Sequence, residues 1–385
     1  MKLLVVDNVH MYKTPNGEYY TPSIYNREFF QRYLNVFSAV RLVAKTKCVQ
    51  ELNENEYIHV NFPNVEIYEL PWFHGLREFL RQSPILIKAA RKAKIGCNCI
   101  IYRVAQLESF LVFLLSLSKH PFGVEVVNDP QSWASTSDIV KKITVMMLRY
   151  MCKNADGAAY VTEKFLQQKY PCSKKKHVFT THYSSIELDN SAIREAKNWS
   201  NDRPFRLVHV ANVIDGEGKG HGTVLHCIKE LTSEGTEVQI DFIGDGPGVE
   251  RYQRIAEKLG ILDKVSFVGR ISEKQKYMDF LREHDALIFP SHSEGLPRVV
   301  IEAMACGLPC IASPVGGTPE LIEDWCLVEF DDVSGYVKAL NKLISNQEIY
   351  KKTSERNKKK AMQFTSDVLT TRRTKFYSYL KKLCQ

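Results

Sequence analysis

From residue 205 onward the chain alternates short apolar runs with stretches whose apolar residues recur at helical spacing. Arg206-Leu207-Val208-His209-Val210-Ala211 reads as a buried strand, and Val224, Leu225, Ile228 and Leu231 fall on one helix face. Residues 238–243 form the next apolar run, ending in Gly244-Asp245-Gly246-Pro247, before a helix carrying Tyr252, Ile255, Ala256 and Leu259. Residues 265–268 read as a third strand. Tyr277, Phe280 and Leu281 mark a helix that leads to Ala286-Leu287-Ile288-Phe289-Pro290, and a further helix leads to Pro309-Cys310-Ile311-Ala312. Strands and helices alternating at this interval predict βαβ units and a mostly parallel sheet covered on both faces.

The first half is less regular. Its candidate strands are 3–6, 65–68, 99–102, 124–127 and 157–160. The apolar run Phe110-Leu111-Val112-Phe113-Leu114-Leu115-Ser116-Leu117 is too short for a membrane span, which needs about 20 residues, and reads as a buried helix. A polar stretch at 184–204 ends in Pro204 and reads as a linker with one helical turn inside it. The expected organisation is therefore a Rossmann-like domain at 1–183, the linker at 184–204 and a second Rossmann-like domain at 205–365. A last helix at 366–385, with Val368, Leu369, Phe376, Tyr377 and Leu380 on a helical period, would pack back on the first domain. Two open α/β sheets would place the carboxyl ends of their strands across one cleft, which suits a two-substrate transfer.

Composition narrows the picture. With 44% hydrophobic and 25% charged residues the chain reads as globular. No export signal is visible, and ten cysteines without a C-x-x-C pair read as free thiols of a reducing cytoplasm. The net charge of +8 is clustered at Lys174-Lys175-Lys176, at Lys351 to Lys360, and at Arg77, Arg81, Lys88, Arg91, Lys92 and Lys94 interleaved with Leu80, Ile85, Leu86 and Ile87. The alternatives are solvated faces or attraction to an anionic substrate or membrane. No zinc finger or RNA-binding signature supports a nucleic-acid partner.

The chemistry concentrates in Ser291-His292-Ser293-Glu294-Gly295-Leu296-Pro297-Arg298-Val299-Val300-Ile301-Glu302, followed by Ala303-Met304-Ala305-Cys306-Gly307-Leu308-Pro309. It lies at the carboxyl end of a buried strand. Gly295 permits close backbone approach to a ligand, and Pro297 suits the first helical position. A helix beginning there offers free amides and a positive dipole end to a diphosphate. Gly307 fits the helix stop. Glu294 and Glu302 are carboxylates able to hold sugar hydroxyls on either side of the phosphates, although a lone pair of glutamates at this spacing is common by chance.

The whole segment resembles the donor signature of the retaining GT-B glycosyltransferases known as glycosyl transferases group 1, which include bacterial capsule, lipopolysaccharide and mannosyl transferases. The resemblance extends through Ala312 to Ile322, Gly244-Asp245-Gly246-Pro247, Lys264 to Arg270, and Ala155 to Thr162. It implies a GT-B fold, two Rossmann-like domains facing across a cleft. It also implies transfer of a sugar from a nucleoside-diphosphate donor to a glycan or lipid-linked acceptor of cell-surface polysaccharide, with retention. By this resemblance Glu294 contacts the transferred sugar and Glu302 the ribose. Backbone at Gly295, Leu296 and Pro297 holds the distal phosphate, with Gly244 on the donor side. Lys219 is the phosphate-binding lysine, and Arg270 and Ile271 lie at the nucleobase. Lys219 beside the leaving diphosphate would stabilise charge that grows as the bond breaks. The family needs no metal or other cofactor, and no Asp-x-Asp is present. The expected location is the cytoplasm or the inner membrane face, with peripheral contact to anionic lipid.

Several positions depart from the family pattern. Ala211-Asn212 stands where a Gly-Arg pair is common, so that Asn212 replaces a cation for which His221 or Arg298 would have to compensate. Val127-Asn128-Asp129-Pro130 replaces a His-Asp pair, and Thr181-His182-Tyr183-Ser184 replaces an Asn-Gly-Val-Asp. Asp129, His182 and His10 are alternative cleft residues against a structural reading, and Gly17 is the best candidate for a glycine loop in the first domain. The rival functions are a sugar-nucleotide epimerase on the same fold and a non-catalytic partner subunit. A dehydrogenase is disfavoured because Gly244-Asp245-Gly246-Pro247-Gly248 is not G-x-G-x-x-G.

Overall fold

The computed structural model describes residues 1–22, 25–53, 57–73, 75–104, 107–115, 120–132, 137–173 and 178–385; the Lys174-Lys175-Lys176 run and Ser116-Leu117 lie outside them. The chain divides into two units, Met1–Tyr183 with Thr370–Gln385, and Ser184–Leu369. Both are α/β and each is built on a largely parallel sheet.

In chain order the first unit contains β1 (Lys2–Lys13), β2 (Tyr19–Thr21), α1 (Arg27–Leu34), β3 (Ala39–Cys48), β4 (Ile58–His59) and β5 (Val65–Pro71). There follow α2 (Gly75–Arg81), α3 (Ser83–Ala93), β6 (Cys99–Val104), α4 (Leu107–Leu115), β7 (Phe122–Val126), α5 (Asp138–Asn154), β8 (Gly157–Tyr160), α6 (Phe165–Lys169) and β9 (Phe179–His182). β1 is central: Leu3, Leu4, Val5 and Val6 are fully buried, and the strand pairs in parallel with β3 and β6. After a register shift between Val6 and His10 it continues outward and pairs antiparallel with β2. Gly17 lies in the turn of that hairpin, where its amide donates to Thr14 O at 2.9 Å and its φ is +84°. Gly17 is therefore a hairpin-turn glycine: Pro-Asn-Gly between paired aromatic strands is turn chemistry.

β3 and β9 are strands that the apolar pattern does not single out. In β3, Arg41, Lys45 and Lys47 interrupt the apolar run, yet the strand is held between β1 and β5. The terminal nitrogens of Arg41 reach the carbonyls of Ala93 and Ile95 and the Glu66 carboxylate.

The last helix of the chain, α13 (Ser366–Leu383), joins this unit from Thr370 onward. Two strand glycines make room for it. A Cβ on Gly123 would lie 2.5 Å from Leu380, and one on Gly157 would lie 2.9 Å from Phe376. Beneath it is a buried polar cluster. Glu125 of β7 accepts from Tyr183 at 2.6 Å, Tyr377 of α13 at 2.7 Å and Arg103 of β6 at 2.7 Å, while Arg103 also reaches Asp7 at 2.6 Å. Burial alone would push the Glu125 carboxyl up, but Arg103 and the two phenols overcome it and hold it below the usual carboxylate range.

The second unit contains β10 (Phe205–Val213), α7 (His221–Ser233), β11 (Val238–Asp245), α8 (Val249–Lys258), β12 (Val265–Gly269), α9 (Lys274–Arg282), β13 (Ala286–Phe289), α10 (Arg298–Ala305) and β14 (Cys310–Ala312). α11 (Val333–Ser345) and α12 (Gln347–Ala361) follow. The five strands run parallel in the order β12-β11-β10-β13-β14. Every residue of β13 and β14 is buried, which is why these strands read as unbroken apolar runs. The polar stretch 184–204 contains one short turn at Asn190–Ala192 and packs on this unit, with Trp199 set edge-on to Phe205. The strand order reverses at β10, which lies between β11 and β13. In sheets of this kind a crevice opens outside the carboxyl ends of the strands at that point.

Candidate functional site

A pocket of about 500 Å³ occupies that crevice in the second unit. Its walls come from the end of β10 (Val210, Ala211, Asn212, Val213), the end of β11 (Ile243, Gly244), the residues after β12 (Arg270, Ile271) and Phe289 at the end of β13. Lys219, Glu294, Leu296, Arg298, Val299, Glu302 and Tyr277 complete it.

Close backbone packing shapes the pocket. Gly244, at φ +134°, crosses so near β10 that a Cβ would lie 1.7 Å from Ala211 O. Gly220, at φ +71°, ends the turn carrying Lys219, and a Cβ there would lie 2.2 Å from Pro290 O. The amide of His292 donates to Gly218 O at 3.0 Å, tying the Lys219 turn to the loop after β13. On the other side, Gly317 N donates to Gly295 O at 2.7 Å.

α10 begins at Arg298, with Pro297 as the flanking residue and no side chain capping the end. The expectation that Pro297 opens the helix is thus off by one position: its ψ of 110° is extended. The first amides of a helix have no partner within it, so those of α10 stay available to an acceptor in the pocket. The helix stops where expected, at Gly307 with φ +75°, whose amide donates to Met304 O at 3.0 Å.

Two carboxylates have contrasting surroundings. Glu294 Oε1 lies 2.5 Å from Lys219 Nζ and accepts from Ser291 Oγ at 2.7 Å, and Lys219 Nζ is also 3.4 Å from Ser291 Oγ. The Lys219 ammonium sits 5.5 Å from the centre of the Phe289 ring. Glu302 Oε2 accepts from the Tyr277 hydroxyl of α9 at 3.0 Å. Burial pushes the Glu302 carboxyl up, while the Tyr277 bond and the charges of Arg298 and Lys274 pull it back. Tyr277 is in turn held well above the usual phenol value by burial and by Glu302.

Behind Lys219 lies a pair of buried histidines. His209 Nδ1 is 2.9 Å from Ile288 O, and its ring is 4.7 Å from that of His221, which stacks on Phe242 and Tyr252. Burial lowers both, His221 to about 4. His221 is therefore neutral at neutral pH and cannot be the cation that compensates for Asn212. Arg298, exposed at the pocket rim, can.

The structure thus brings Asn212, Lys219, Gly244, Arg270, Ile271, Glu294, Leu296, Arg298 and Glu302 around one pocket, with Gly295 and Pro297 in the loop that bounds it. Gly17, His10, Asp129 and His182 belong to the first unit. Asp129 is buried and engaged by Tyr170, Lys169 and the amide of Gln131. His182 ends β9, paired with Tyr160, and His10 packs on Trp72. Tyr277, which lines the pocket, and Ser291, which donates to Glu294, are the residues to which sequence reasoning gave no role. Tyr277 appeared only as an apolar helix position, and nothing in the local pattern marks it as the partner of Glu302. Among the described residues, no group of three or more His, Cys, Asp or Glu side chains is placed to hold a metal ion, and no helix is long and apolar enough to cross a membrane.

Comparison with known proteins finds likeness in family and in fold. Residues 191–360 match the family described as Glycosyl transferases group 1. The chain is 26% identical to Protein CapJ of Staphylococcus aureus, over 100% of its own length and 96% of that protein. In fold it resembles Anabaena Alr3699/HepE, solved in complex with UDP, at a TM-score of 0.65, 15% identity and coverage of 96% and 98% of the two chains. It also resembles the lipopolysaccharide outer core galactosyltransferase WaaB, at a TM-score of 0.64, 16% identity and coverage of 97% and 98%.

Proposed function

This chain belongs to the glycosyl transferases group 1, retaining enzymes of GT-B fold that use a nucleotide-sugar donor, and on that footing we propose that its second-unit pocket seats the donor for transfer to a surface-glycan or lipid-linked acceptor. The carrying observation is the convergence of Lys219, Ser291 and Glu294 at a pocket that also holds Glu302 and the uncapped start of α10.

In this reading the diphosphate accepts hydrogen bonds from the first amides of α10. Glu302 accepts from the ribose hydroxyls, and Glu294 accepts from a hydroxyl of the sugar. When the donor binds, Lys219 exchanges its contact with Glu294 for the distal phosphate, and Arg298 supplies the second positive charge. The bond between the anomeric carbon and the phosphate oxygen breaks, the acceptor oxygen bonds to the same face of that carbon, and the acceptor proton passes to the departing phosphate. Lys219 offsets charge that develops only as the bond breaks, so it acts on the transition state more than on the ground state. The nucleotide to test first is UDP, which HepE holds in its solved complex. The name of WaaB supports a cell-surface polysaccharide as acceptor. A lipid-linked acceptor would bring the protein into peripheral contact with an anionic membrane face.

The test is transfer from a panel of nucleotide sugars by the wild type and by Lys219→Ala and Glu294→Gln. Both variants are expected to stay folded and lose transfer. Wild-type activity in either, or an isomerised donor formed without acceptor, rules the reading out.

A further inference from the structure

Lys219 reaches the pocket from a turn that needs an anchor. Glu217, Gly218 and Lys219 form a single 3-10 turn between β10 and α7, closed by the amide of Gly220 donating to Glu217 O at 2.7 Å. Such a turn has poor hydrogen-bond geometry and holds its shape weakly by itself. The helix that follows begins under a constraint. Its N-cap position is Gly220, at φ +71°, where a Cβ would lie 2.2 Å from Pro290 O. The usual capping residues are thereby shut out of that position, and no N-cap side chain accepts from the first amides of α7.

Glu217 supplies the acceptor from upstream. Its Oε2 accepts from the amide of Gly222 at 3.2 Å, and its Oε1 accepts from Arg251 of α8 at 3.0 Å. Residue 222 has no side chain to crowd this carboxylate; a Cβ there would lie 3.0 Å from Glu217 Oε2. The turn is therefore bridged twice by one residue. The carbonyl of Glu217 holds Gly220, its carboxylate holds Gly222, and Lys219 lies within both bridges. The loop after β13 grips the same turn through Gly218 O. Of the two contacts of the carboxylate, the amide bond matters more. The Glu217 and Arg251 side chains are 42% and 57% exposed, and an ion pair open to water contributes little.

We propose that Glu217 is the positioning residue of Lys219: by capping α7 across the turn, its carboxylate fixes the backbone from which the Lys219 ammonium meets the distal phosphate. Glu217 is not among the residues that wall the pocket, so it acts through Lys219 and not on the donor. The position of that ammonium is worth fixing. Charge gathers on the departing diphosphate as the bond breaks, and a cation already in place stabilises it without reorganisation. A shift of about 1 Å at such a group can cost on the order of a hundredfold in rate. The inference rests on the donor reading of the pocket, and the experiment is arranged so that the two fail differently.

The experiment is a double-mutant cycle on the full chain, read by calorimetric titration with whichever of UDP, GDP and ADP binds the wild type tightest. Loss of a helix cap corresponds to about a fivefold change in an equilibrium, so Glu217→Ala should weaken nucleotide affinity about fivefold. In the Lys219→Ala background, where no ammonium is left to position, the same substitution should change affinity less than about twofold. Glu217→Gln keeps an oxygen for the Gly222 amide and should stay within about twofold of wild type, because the charge of an exposed cap adds little. Thermal unfolding separates positioning from a merely structural role: loss of the cap should lower Tm equally in both backgrounds, while affinity falls in one. In sugar transfer, Glu217→Ala should lower kcat more than it raises KM, since Lys219 acts mainly on the transition state. The inference is overturned if Glu217→Ala binds like the wild type, if it costs as much affinity in the Lys219→Ala background, or if Glu217→Gln is no better than Glu217→Ala. A Lys219→Ala variant with wild-type affinity overturns the donor reading and the inference with it, whereas a Lys219 defect without a Glu217 defect overturns the inference alone.

Discussion

The Tyr277–Glu302 contact gives the sharpest prediction, because it isolates one hydrogen bond at a buried carboxylate. Tyr277→Phe removes the hydroxyl that donates to Glu302 Oε2 at 3.0 Å and keeps the ring that walls the pocket. A hydrogen bond to a charged group contributes about 1.5–3 kcal/mol, and its loss here leaves a buried carboxylate short of a donor. If Glu302 holds the ribose, nucleoside diphosphate affinity should fall on the order of tenfold or more, since 1.4 kcal/mol is a factor of ten. The pH dependence follows with a definite sign. Burial already holds the Glu302 carboxyl above its usual range, and the Tyr277 bond opposes that shift. Removing the bond raises the pKa further. The carboxylate that accepts from ribose should therefore be lost at a higher pH in the variant, and binding should weaken earlier as pH falls. Calorimetric titration of UDP across a pH series reads both effects. Equal affinity and a superimposable pH profile in wild type and variant would refute the role of Glu302 and the reasoning behind it.

Three further outcomes are expected. Arg298→Ala should weaken UDP binding about tenfold and flatten its salt dependence, whereas His221→Phe, replacing a neutral ring stacked on Phe242 and Tyr252, should leave the salt dependence unchanged in the same titration. Tyr377→Phe should destabilise the first unit by about 1.5–3 kcal/mol in denaturant unfolding. Because the folded Glu125 carboxyl lies below its usual range, its stabilisation is present above that range and lost as pH falls through the lowered value; the variant, with a higher value, should lose stability at a higher pH. Gly220→Ala should reduce donor binding more than it reduces global stability, because a side chain at φ +71° meets Pro290 O and displaces the turn that carries Lys219.

What the sequence reveals depends on whether a feature is local. The strands of the second sheet were legible because β13 and β14 are wholly buried and therefore continuously apolar. The pocket's two ends were legible because the segment from Glu294 to Glu302 carries its own turn and helix signals. Lys219 was identified only through family resemblance: 75 residues separate it from Glu294, and spacing says nothing about their meeting. Tyr277 escaped for the same reason without a motif to rescue it, lying 25 residues from Glu302 on a different helix. In the first unit, β3 was hidden by basic residues whose partners lie on other elements, and Gly17 was read as part of a glycine loop because a hairpin turn uses the same residue. Glu125 and Tyr377 are 252 residues apart, so the cluster that binds the last helix has no signature at all. The outward stripe of α5 is visible as apolar periodicity, but only the structure shows that Ile139, Ile143, Met146 and Tyr150 stay exposed.

Hydrogen–deuterium exchange with and without UDP tests the central claim most directly. Slowed exchange should concentrate at the start of α10, the loop from Ser291 to Pro297, the Lys219 turn and the ends of β10 and β11. Protection centred on other segments, or no protection at saturating nucleotide, would contradict the placement of the donor in this pocket.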